Sequence, residues 1–268
     1  MPVRVETFSA VDQAAGALAS NASARMFGGG TLLMRAVNEA DQSFDTLIRV
    51  TDPALREIRV EGDAVVVGAG CTMSEIVAHR ELALLAPVAR AVAGPAVRSA
   101  ATIGGNLFAE SPYGEMTTAL LALGATVRFA GQGSQVGIDE FLASRDRYRN
   151  QIVRSVSVPR VSDPNGFRFL KVTRVKPKGA AVISIAVRIG RSGGGETRIA
   201  FNNMGPVPMR ARAAEQALQG GSLDEASVSR AAAVATQGMN PSTDWLASDW
   251  YRREVAPVHL KRLLLGRA

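Results

Sequence analysis

The hydrophobic pattern of the first fifty residues alternates between strand and helix periods. An Ala-rich stretch with helical spacing follows Ser9 to Asp12, which has the sequence form of a capping box. The predicted elements after the first strand are a helix to about residue 22, a strand at 25–27, a helix at 32–38 and a strand at 46–50. The pattern therefore predicts a small βαβαβ lobe over residues 1–55.

A second region follows the Asp52-Pro53 break and mixes short strands with short helices. The predicted elements are a hairpin at 58–60 and 64–67, helices at 73–80, 87–93 and 117–123, a small-residue loop at 102–106, and strands at 126–129 and 152–158. Two prolines and a glycine between Pro159 and Gly166 are typical of a boundary. We therefore place the second region at 56–160.

The remainder of the chain has strands first and helices afterwards. The predicted strands are 167–172, 182–189 and 197–201, and the predicted helices are 210–218, 223–236 and 250–265. Gly193-Gly194-Gly195 is predicted to be a hairpin loop between two of the strands. Strands followed by helices favour a separate α+β lobe at 161–268.

Composition narrows the classes of protein. The chain has 47% apolar and 21% charged residues, which is ordinary for a globular protein, and no apolar run reaches the length of a membrane span. The N-terminal MPVRVETFSA lacks the apolar stretch of a secretory signal, so we expect a cytoplasmic protein without a membrane span. The single cysteine, Cys71, excludes a disulfide framework and an iron–sulfur cluster held by this chain alone, and the presence of only two histidines disfavours a histidine-based metal site.

The charge is basic and unevenly distributed. Lys and Arg number 31 against 24 Asp and Glu, and ten of the basic residues lie between Arg145 and Lys178 beside two acidic ones. This stretch is either a solvated face or a docking surface for a partner or an anionic cofactor. Nucleic-acid binding is disfavoured, because aromatic residues are only 5% of the chain and no stacking pattern is interleaved with the cations.

Gly28-Gly29-Gly30-Thr31 lies between a predicted strand and a predicted helix. Glycines there allow close approach of a phosphate and leave N–H groups free to donate, while the helix N-terminus adds positive potential. An ordinary βα turn explains the same glycines. The spacing matches neither the P-loop nor GxGxxG.

Thr102-Ile103-Gly104-Gly105-Asn106 is a second glycine-containing segment some seventy residues later. It is either an ordinary turn, with Asn106 in a left-handed conformation, or a second phosphate contact. Two such segments could bind the two phosphates of one pyrophosphate group.

Several motifs together carry a family resemblance. They are Phe27 to Thr31, Ala101 to Asn106 with Ser111-Pro112 and Met116, Phe169 to Arg174, Asn202 to Ala211, and Trp250 to Leu265. In this order they resemble the flavoprotein (medium) subunit of the molybdenum hydroxylases, the family of xanthine dehydrogenase and carbon monoxide dehydrogenase. The resemblance spans nearly the whole chain.

The resemblance implies an α+β fold with a two-lobed PCMH-type (vanillyl-alcohol-oxidase-like) FAD-binding domain and a C-terminal α+β lobe of the CO-dehydrogenase flavoprotein type. Residues 1–55 and 56–160 would be the two FAD-binding subdomains, and 161–268 the C-terminal domain. The residues implied to contact FAD are Arg25, Met26, Phe27, Gly28, Gly29, Gly30, Thr31, Leu32, Val92, Thr102, Ile103, Gly104, Gly105, Asn106, Glu115 and Lys171.

Three of these positions carry particular expectations. Glu115 stands where relatives often have an Asp that contacts FAD, and Lys171 matches a lysine that approaches the flavin. Val92 falls where some relatives place an aromatic residue. The chain also has Lys178-Gly179 where many relatives have an Asp after the arginine that Arg174 matches.

The resemblance also implies partners. A large subunit would carry molybdopterin and a small subunit two [2Fe–2S] clusters, in a heterotrimer that often pairs into a dimer. This chain would hold FAD noncovalently, accept electrons from the clusters and pass them to an external acceptor. No catalytic base and no metal ligand are expected on it. The alternatives are a self-sufficient FAD oxidase of the same fold, a flavin-free structural subunit, and a basic nucleic-acid-binding protein.

Overall fold

The computed structural model describes residues 3–131, 133–163, 165–176, 179–190 and 196–267. The strands are β1 (Arg4–Phe8), β2 (Ala24–Phe27), β3 (Thr46–Val50), β4 (Ile58–Glu61), β5 (Ala64–Gly68), β6 (Thr126–Phe129), β7 (Gln135–Gly137), β8 (Val153–Pro159), β9 (Phe167–Thr173), β10 (Ala181–Arg188), β11 (Arg198–Asn202) and β12 (Met209–Arg210). The triple glycine 193–195, predicted to be a hairpin loop, lies outside the described residues.

The helices include those predicted from the sequence and three short ones that are not predicted, at 95–98, 103–107 and 138–143. They are α1 (Val11–Ser20), α2 (Leu33–Asn38), α3 (Met73–Ala78), α4 (Ala86–Ala91), α5 (Pro95–Arg98), α6 (Ile103–Leu107), α7 (Glu115–Leu123), α8 (Ile138–Ala143), α9 (Arg212–Ala217), α10 (Glu225–Ala233) and α11 (Asp249–Leu264). None of the helices in the described ranges is long and apolar enough to cross a membrane.

The chain divides into two compact units that interleave along the sequence. The first unit comprises Met1–Ala83, Gly94–Ala109 and Gly124–Arg160, and the second comprises Leu84–Ala93, Glu110–Leu123 and Val161–Ala268. The two short segments Leu84–Ala93 and Glu110–Leu123, which contain α4 and α7, therefore belong to the second unit although they lie within residues 56–160. Hydrophobic periodicity is a local property and does not show to which core a helix belongs.

The first unit contains two sheets. β1, β3 and β2 form a parallel sheet in the order β1-β3-β2, and α1 packs its apolar stripe of Val11, Ala14 and Leu18 with Ile48 of β3. β4, β5, β8, β6 and β7 form an antiparallel sheet in that order. The parallel sheet with its two helices confirms the βαβαβ pattern predicted at the start of the chain.

The predicted capping box of α1 is wrong. The N-cap is Ala10, whose side chain makes no capping hydrogen bond. The N–H of Val11 instead donates to Oδ2 of Asp52, 3.2 Å away, which is 41 residues later in the chain. A tertiary contact thus replaces the local cap that the Ser9–Asp12 spacing predicts.

The second unit contains the antiparallel sheet β12-β11-β10-β9. One face carries alternate large residues such as Ile183, Ile185 and Phe201, which join a core with α9, α10 and α11. The other face carries small residues at Ser184, opposite Asn202, and at Ala186. α7, in which every residue is buried, packs on β10 and β11. Side chains alternate between faces along a strand, so this small-residue face leaves room for the helix.

Candidate functional site

The first glycine segment connects β2 to α2 in the first unit and has no room for side chains. Gly30 has φ +70°, and a Cβ on it would lie 2.7 Å from the ring of Phe27. A Cβ on Gly29 would lie 1.8 Å from the carbonyl oxygen of Ala100. The glycines are therefore required by the backbone conformation and by a close backbone approach.

The structure brings the two glycine segments together within the first unit. Gly29 packs on the backbone of Ala100 and Ala101, and a Cβ on Gly28 would lie 3.0 Å from Oγ1 of Thr102. The two segments are some seventy residues apart in the sequence, and their closeness agrees with the expectation that both could contact one pyrophosphate group. Ala101 belongs to a motif of the family resemblance, whereas Ala100 was not singled out in the sequence.

The first segment has unused hydrogen-bond donors. Within the described ranges, no protein atom accepts a hydrogen bond from the backbone N–H of Gly29, Gly30 or Thr31. Gly30 is buried. Buried backbone N–H groups are almost always paired, so this set is suited to an acceptor from outside the chain, such as a phosphate oxygen.

The second segment is a short helix, α6, and not the predicted loop. Thr102 is its N-cap, and Oγ1 of Thr102 accepts from the N–H of Gly105 at 3.1 Å. Asn106 is buried within the helix, so the left-handed conformation considered for it does not occur. Two adjacent glycines lower helix propensity by about 1 kcal/mol each and hide the helix from a local pattern.

The N–H groups of α6 are occupied by the protein itself. Ile103 donates to Cys71 O and Gly104 donates to Ala69 O, both at 2.9 Å, while Asn106 donates to Thr102 O. A Cβ on Gly104 would lie 2.8 Å from Cβ of Ala69. The glycines of this segment therefore serve close packing, in contrast to the free donors of the first segment.

Four further predicted site residues lie around the first segment, and they differ in their contacts and exposure. The Arg25 guanidinium donates to the carbonyl oxygens of Ala22, Ala24 and Ser43 at 2.8–3.3 Å. Met26 packs against the first unit's core. Phe27 is half-buried under Gly30, and Leu32, the N-cap of α2, is exposed.

Lys171 and Glu115 form a buried ion pair in the second unit. Nζ of Lys171 lies 2.6 Å from Oε1 of Glu115, and the two side chains are 11% and 3% exposed. Nζ also donates to the carbonyl oxygen of Ala91 at 2.9 Å. Val92, the next residue and the C-cap of α4, is buried. The structure thus brings together the three predicted site residues of this unit, from α4, α7 and β9.

The basic stretch 145–178 is divided between the two units, which meet in the sequence at residues 160 and 161. Arg145 donates to the carbonyl oxygen of Ala109 in the first unit. Arg168 donates to the carbonyl oxygens of Leu263 and Leu264, at the end of α11 in the second unit. Lys178 lies outside the described residues. Much of the charge therefore satisfies backbone carbonyls and carboxylates locally.

Two motif arginines of the second unit are structural. Arg210 bonds Glu215 through two nitrogens, at 2.9 and 2.7 Å, and Glu215 also accepts from the N–H of Ile199. Arg252, which is 1% exposed, bonds both carboxylate oxygens of Asp244 at 2.8 Å. The Arg210–Glu215 pair is bidentate, whereas Arg252 contacts both Asp244 oxygens through one nitrogen, and the two pairs fix the start of α9 and the loop before α11.

Cys71 is unsuited to covalent attachment of a flavin. Its side chain is completely buried, and burial raises the pKa of the thiol from 9.0 to about 11. The nucleophile is the thiolate, so the thiol is unreactive near neutral pH.

Comparisons with known proteins agree with this architecture. A family model described as the FAD binding domain in molybdopterin dehydrogenase matches residues 2–161. A second model, the CO dehydrogenase flavoprotein C-terminal domain, matches residues 169–266.

The chain is similar to curated proteins of this kind. It is 28% identical to the carbon monoxide dehydrogenase medium chain of Afipia carboxidovorans, over 76% of this chain and 75% of that protein. It is 24% identical to the putative xanthine dehydrogenase FAD-binding subunit of Escherichia coli K12, over 92% of this chain and 89% of that protein.

Solved structures show the same fold. Carbon monoxide dehydrogenase of Hydrogenophaga pseudoflava matches with a TM-score of 0.89 and 26% identity, covering 100% of this chain and 99% of that chain. Quinoline 2-oxidoreductase of Pseudomonas putida matches in fold, with a TM-score of 0.88 and 24% identity, covering 100% of this chain and 96% of that chain. The predicted α+β fold class, an FAD-binding domain followed by a CO-dehydrogenase flavoprotein C-terminal domain, is confirmed.

Proposed function

Because the chain belongs to the family of FAD-binding domains of molybdopterin dehydrogenases, we propose that it is the FAD-carrying electron-transfer subunit of a molybdenum hydroxylase complex. It receives electrons from [2Fe–2S] clusters of a small subunit and delivers them to an external acceptor. The observation that carries this proposal is the set of unused N–H donors at Gly29, Gly30 and Thr31.

The first unit holds the diphosphate of FAD in this proposal. The N–H groups of Gly29 to Thr31 donate to its oxygens, and the Thr31 hydroxyl adds a donor. The hydroxyl of Thr102 already accepts from Gly105 and can still donate its own proton. Gly28 is exposed, and its missing side chain leaves the loop open to an approaching ligand.

The second unit supplies a cation of fixed position. FAD, when bound, supplies the redox chemistry of the subunit. The Lys171 ammonium is held by Glu115 and Ala91 O, and it stabilises negative charge on a reduced flavin ring. Val92 provides an apolar contact beside it. The other residues of the sequence prediction remain proposed contacts: Arg25, Met26, Phe27, Leu32, Ile103, Gly104, Gly105, Asn106 and Glu115.

The partners are proposed from the relatives. Several relatives are medium chains, FAD subunits or subunits of dehydrogenase complexes. We therefore expect a large molybdopterin subunit and a small [2Fe–2S] subunit, with paired heterotrimers, in the cytoplasm. Residues 1–55 and 56–160 would be the FAD-binding subdomains, and 161–268 the C-terminal domain.

The test is an absorption spectrum of the complex purified through this chain, recorded before and after acid precipitation. Flavin bands that pass into the supernatant as FAD, with iron and molybdenum in co-purifying chains, support the proposal. Flavin retained in the pellet would show a covalent link, and substrate turnover by the isolated chain would favour the oxidase alternative. A folded, colourless chain without partners would overturn it.

A matched pair of variants connects the spectrum to the loop. Gly29→Ala places a methyl group against the carbonyl of Ala100, whereas Gly16→Ala in α1 meets nothing within 4 Å. We expect the first variant to lose FAD and the second to retain it. Equal FAD content in both would show that the glycine segment is not the binding site.

A further inference from the structure

Two consecutive asparagines at the end of β11 bind a segment some ninety residues earlier in the chain. Nδ2 of Asn202 donates to the carbonyl oxygen of Tyr113 at 3.0 Å. Oδ1 of Asn203 accepts from the hydroxyl of Ser111 at 2.8 Å. Both asparagines are almost completely buried, at 2% and 3% exposed. All of these residues belong to the second unit.

The other half of the Asn203 amide is anchored in the sheet. Nδ2 of Asn203 donates to the carbonyl oxygen of Ala181 at 2.5 Å and lies 3.4 Å from that of Val182, both at the start of β10. One side chain therefore connects β10 to Ser111 with its donor and its acceptor both engaged. A buried amide satisfied in this way holds its neighbours in a single arrangement.

The backbone of Asn203 shows why the side chain matters. Its φ is +63°, a left-handed conformation that glycine adopts without cost. Asparagine tolerates this region better than most residues, yet it is still less favourable than glycine. The amide hydrogen bonds offset this cost.

The bound segment leads directly into Glu115. Gly114 follows Tyr113 with φ +110°, and its carbonyl oxygen accepts from the N–H and the hydroxyl of Thr118, each at 3.0 Å. Glu115 is the first residue of α7. The position of the Glu115 carboxylate thus depends on how residues 111–114 enter the helix.

Lys171 and Asn202 belong to one row across the same sheet. Lys171 is opposite Ser184 on β10, and Ser184 is opposite Asn202 on β11. Directly opposite residues of antiparallel strands share a face, so all three side chains lie on one face. The ion pair and the asparagine contacts therefore fix the 111–115 segment to the sheet at two separate strands.

We propose that Asn203 and Ser111, with Asn202, are positioning residues that set the Glu115–Lys171 ion pair. They act on the entry of α7 and through it on the carboxylate that holds the Lys171 ammonium. This inference rests on the proposed function, in which that ammonium stabilises charge on the flavin. The three residues touch neither the flavin nor its reacting atoms in the proposal.

The test uses the FAD-loaded complex and four variants. Asn203→Gly removes the amide but keeps the backbone conformation, and Ser111→Ala removes only the hydroxyl. The double variant tests their coupling. Ser184→Ala is the matched control, because the Ser184 hydroxyl is completely buried on the same face and has no protein partner within the described residues. The FAD dissociation constant, the flavin midpoint potential and the melting temperature are measured for each.

We expect Asn203→Gly and Ser111→Ala each to weaken FAD binding about tenfold and to shift the midpoint potential. The double variant should be no worse than the more affected single variant, because both remove the same hydrogen bond. Ser184→Ala should match the unsubstituted complex in potential and affinity.

Either of two results in the binding and potential measurements would overturn the inference while leaving the proposed function intact, and a third concerns the melting temperature. One is an unchanged affinity and potential in both single variants, and the other is strictly additive losses in the double variant. An unsubstituted complex without FAD would overturn the proposed function as well, so the two failures are distinguishable. A lowered melting temperature with an unchanged potential would show a purely structural role and would also count against the inference.

Discussion

Each of the two units contains its own group of candidate functional residues, and the two groups differ in chemistry. In the first unit the donors are the backbone N–H groups of Gly29, Gly30 and Thr31, which no protein atom within the described ranges accepts. In the second unit the functional groups are the side chains of Lys171 and Glu115, both buried. The glycine segment depends on the absence of side chains, which lets the backbone pack closely. The ion pair depends on two opposite charges that are removed from water together.

Because the two sites use different groups, substitutions should disturb them through different physical effects. A methyl group added to the glycine segment collides with backbone, which cannot rotate away. Removing one member of the ion pair leaves a buried charge without a partner. The first change acts by sterics, and the second acts by electrostatics.

The largest effect is expected from breaking the ion pair. Lys171→Met should lower the free energy of unfolding by about 3–5 kcal/mol, because it leaves the Glu115 carboxylate buried and uncompensated. The double variant Lys171→Met with Glu115→Leu should recover most of this loss. Denaturant unfolding of the three proteins measures both values. A double variant as unstable as the single one would mean that the charges do not act as a pair.

The next effect is expected at the backbone site. Gly29→Ala should cost about 2–3 kcal/mol of stability, because the methyl group overlaps the Ala100 carbonyl oxygen. Gly16→Ala should instead stabilise the chain by about 0.5–1 kcal/mol through helix propensity. Thermal unfolding distinguishes the two, and a stable Gly29→Ala protein would contradict the close approach.

A smaller effect is expected at the cap of α6. Thr102→Ala removes the acceptor for the Gly105 N–H and should cost about 1 kcal/mol. The alanine variant should also bind less FAD, since the proposed function uses the Thr102 hydroxyl as a donor. Thr102→Ser keeps the hydroxyl and should therefore retain both the stability and the FAD content of the unsubstituted protein. If the serine variant behaves like the alanine variant, the methyl group and not the hydroxyl is the important part of Thr102.

The smallest effect on the unfolding free energy near neutral pH is expected from Cys71, because its thiol changes stability only at alkaline pH. Its folded pKa of about 11 lies above the ordinary value of 9.0, so the folded state holds the thiol proton more tightly than the unfolded chain. The resulting stability is complete below pH 9 and is lost as the pH rises towards 11. The unfolding free energy of the native chain should therefore fall across this window relative to that of Cys71→Ala. Parallel curves would contradict the burial effect.

The glycine segments and the ion pair differ in how far the sequence predicts them, for a physical reason. The glycine run at 28–30 could be found because glycine changes the backbone locally. The helix at 103–107 was missed because a Thr cap and tertiary contacts override the poor propensity of Gly104 and Gly105. The pairing of Glu115 with Lys171 was also missed, since the two residues are 56 positions apart and were predicted as separate contacts.

Local periodicity and motifs along the chain predict the βαβαβ start, the glycine segment and the family resemblance, because each depends on residues close together in the sequence. The membership of α4 and α7 in the second unit, the packing of Gly29 on Ala100 and the hydrogen bond from Ser111 to Asn203 follow from tertiary contacts alone. Such contacts depend on complementary shape and hydrogen bonding between distant segments. No local pattern of hydrophobic and polar residues encodes them.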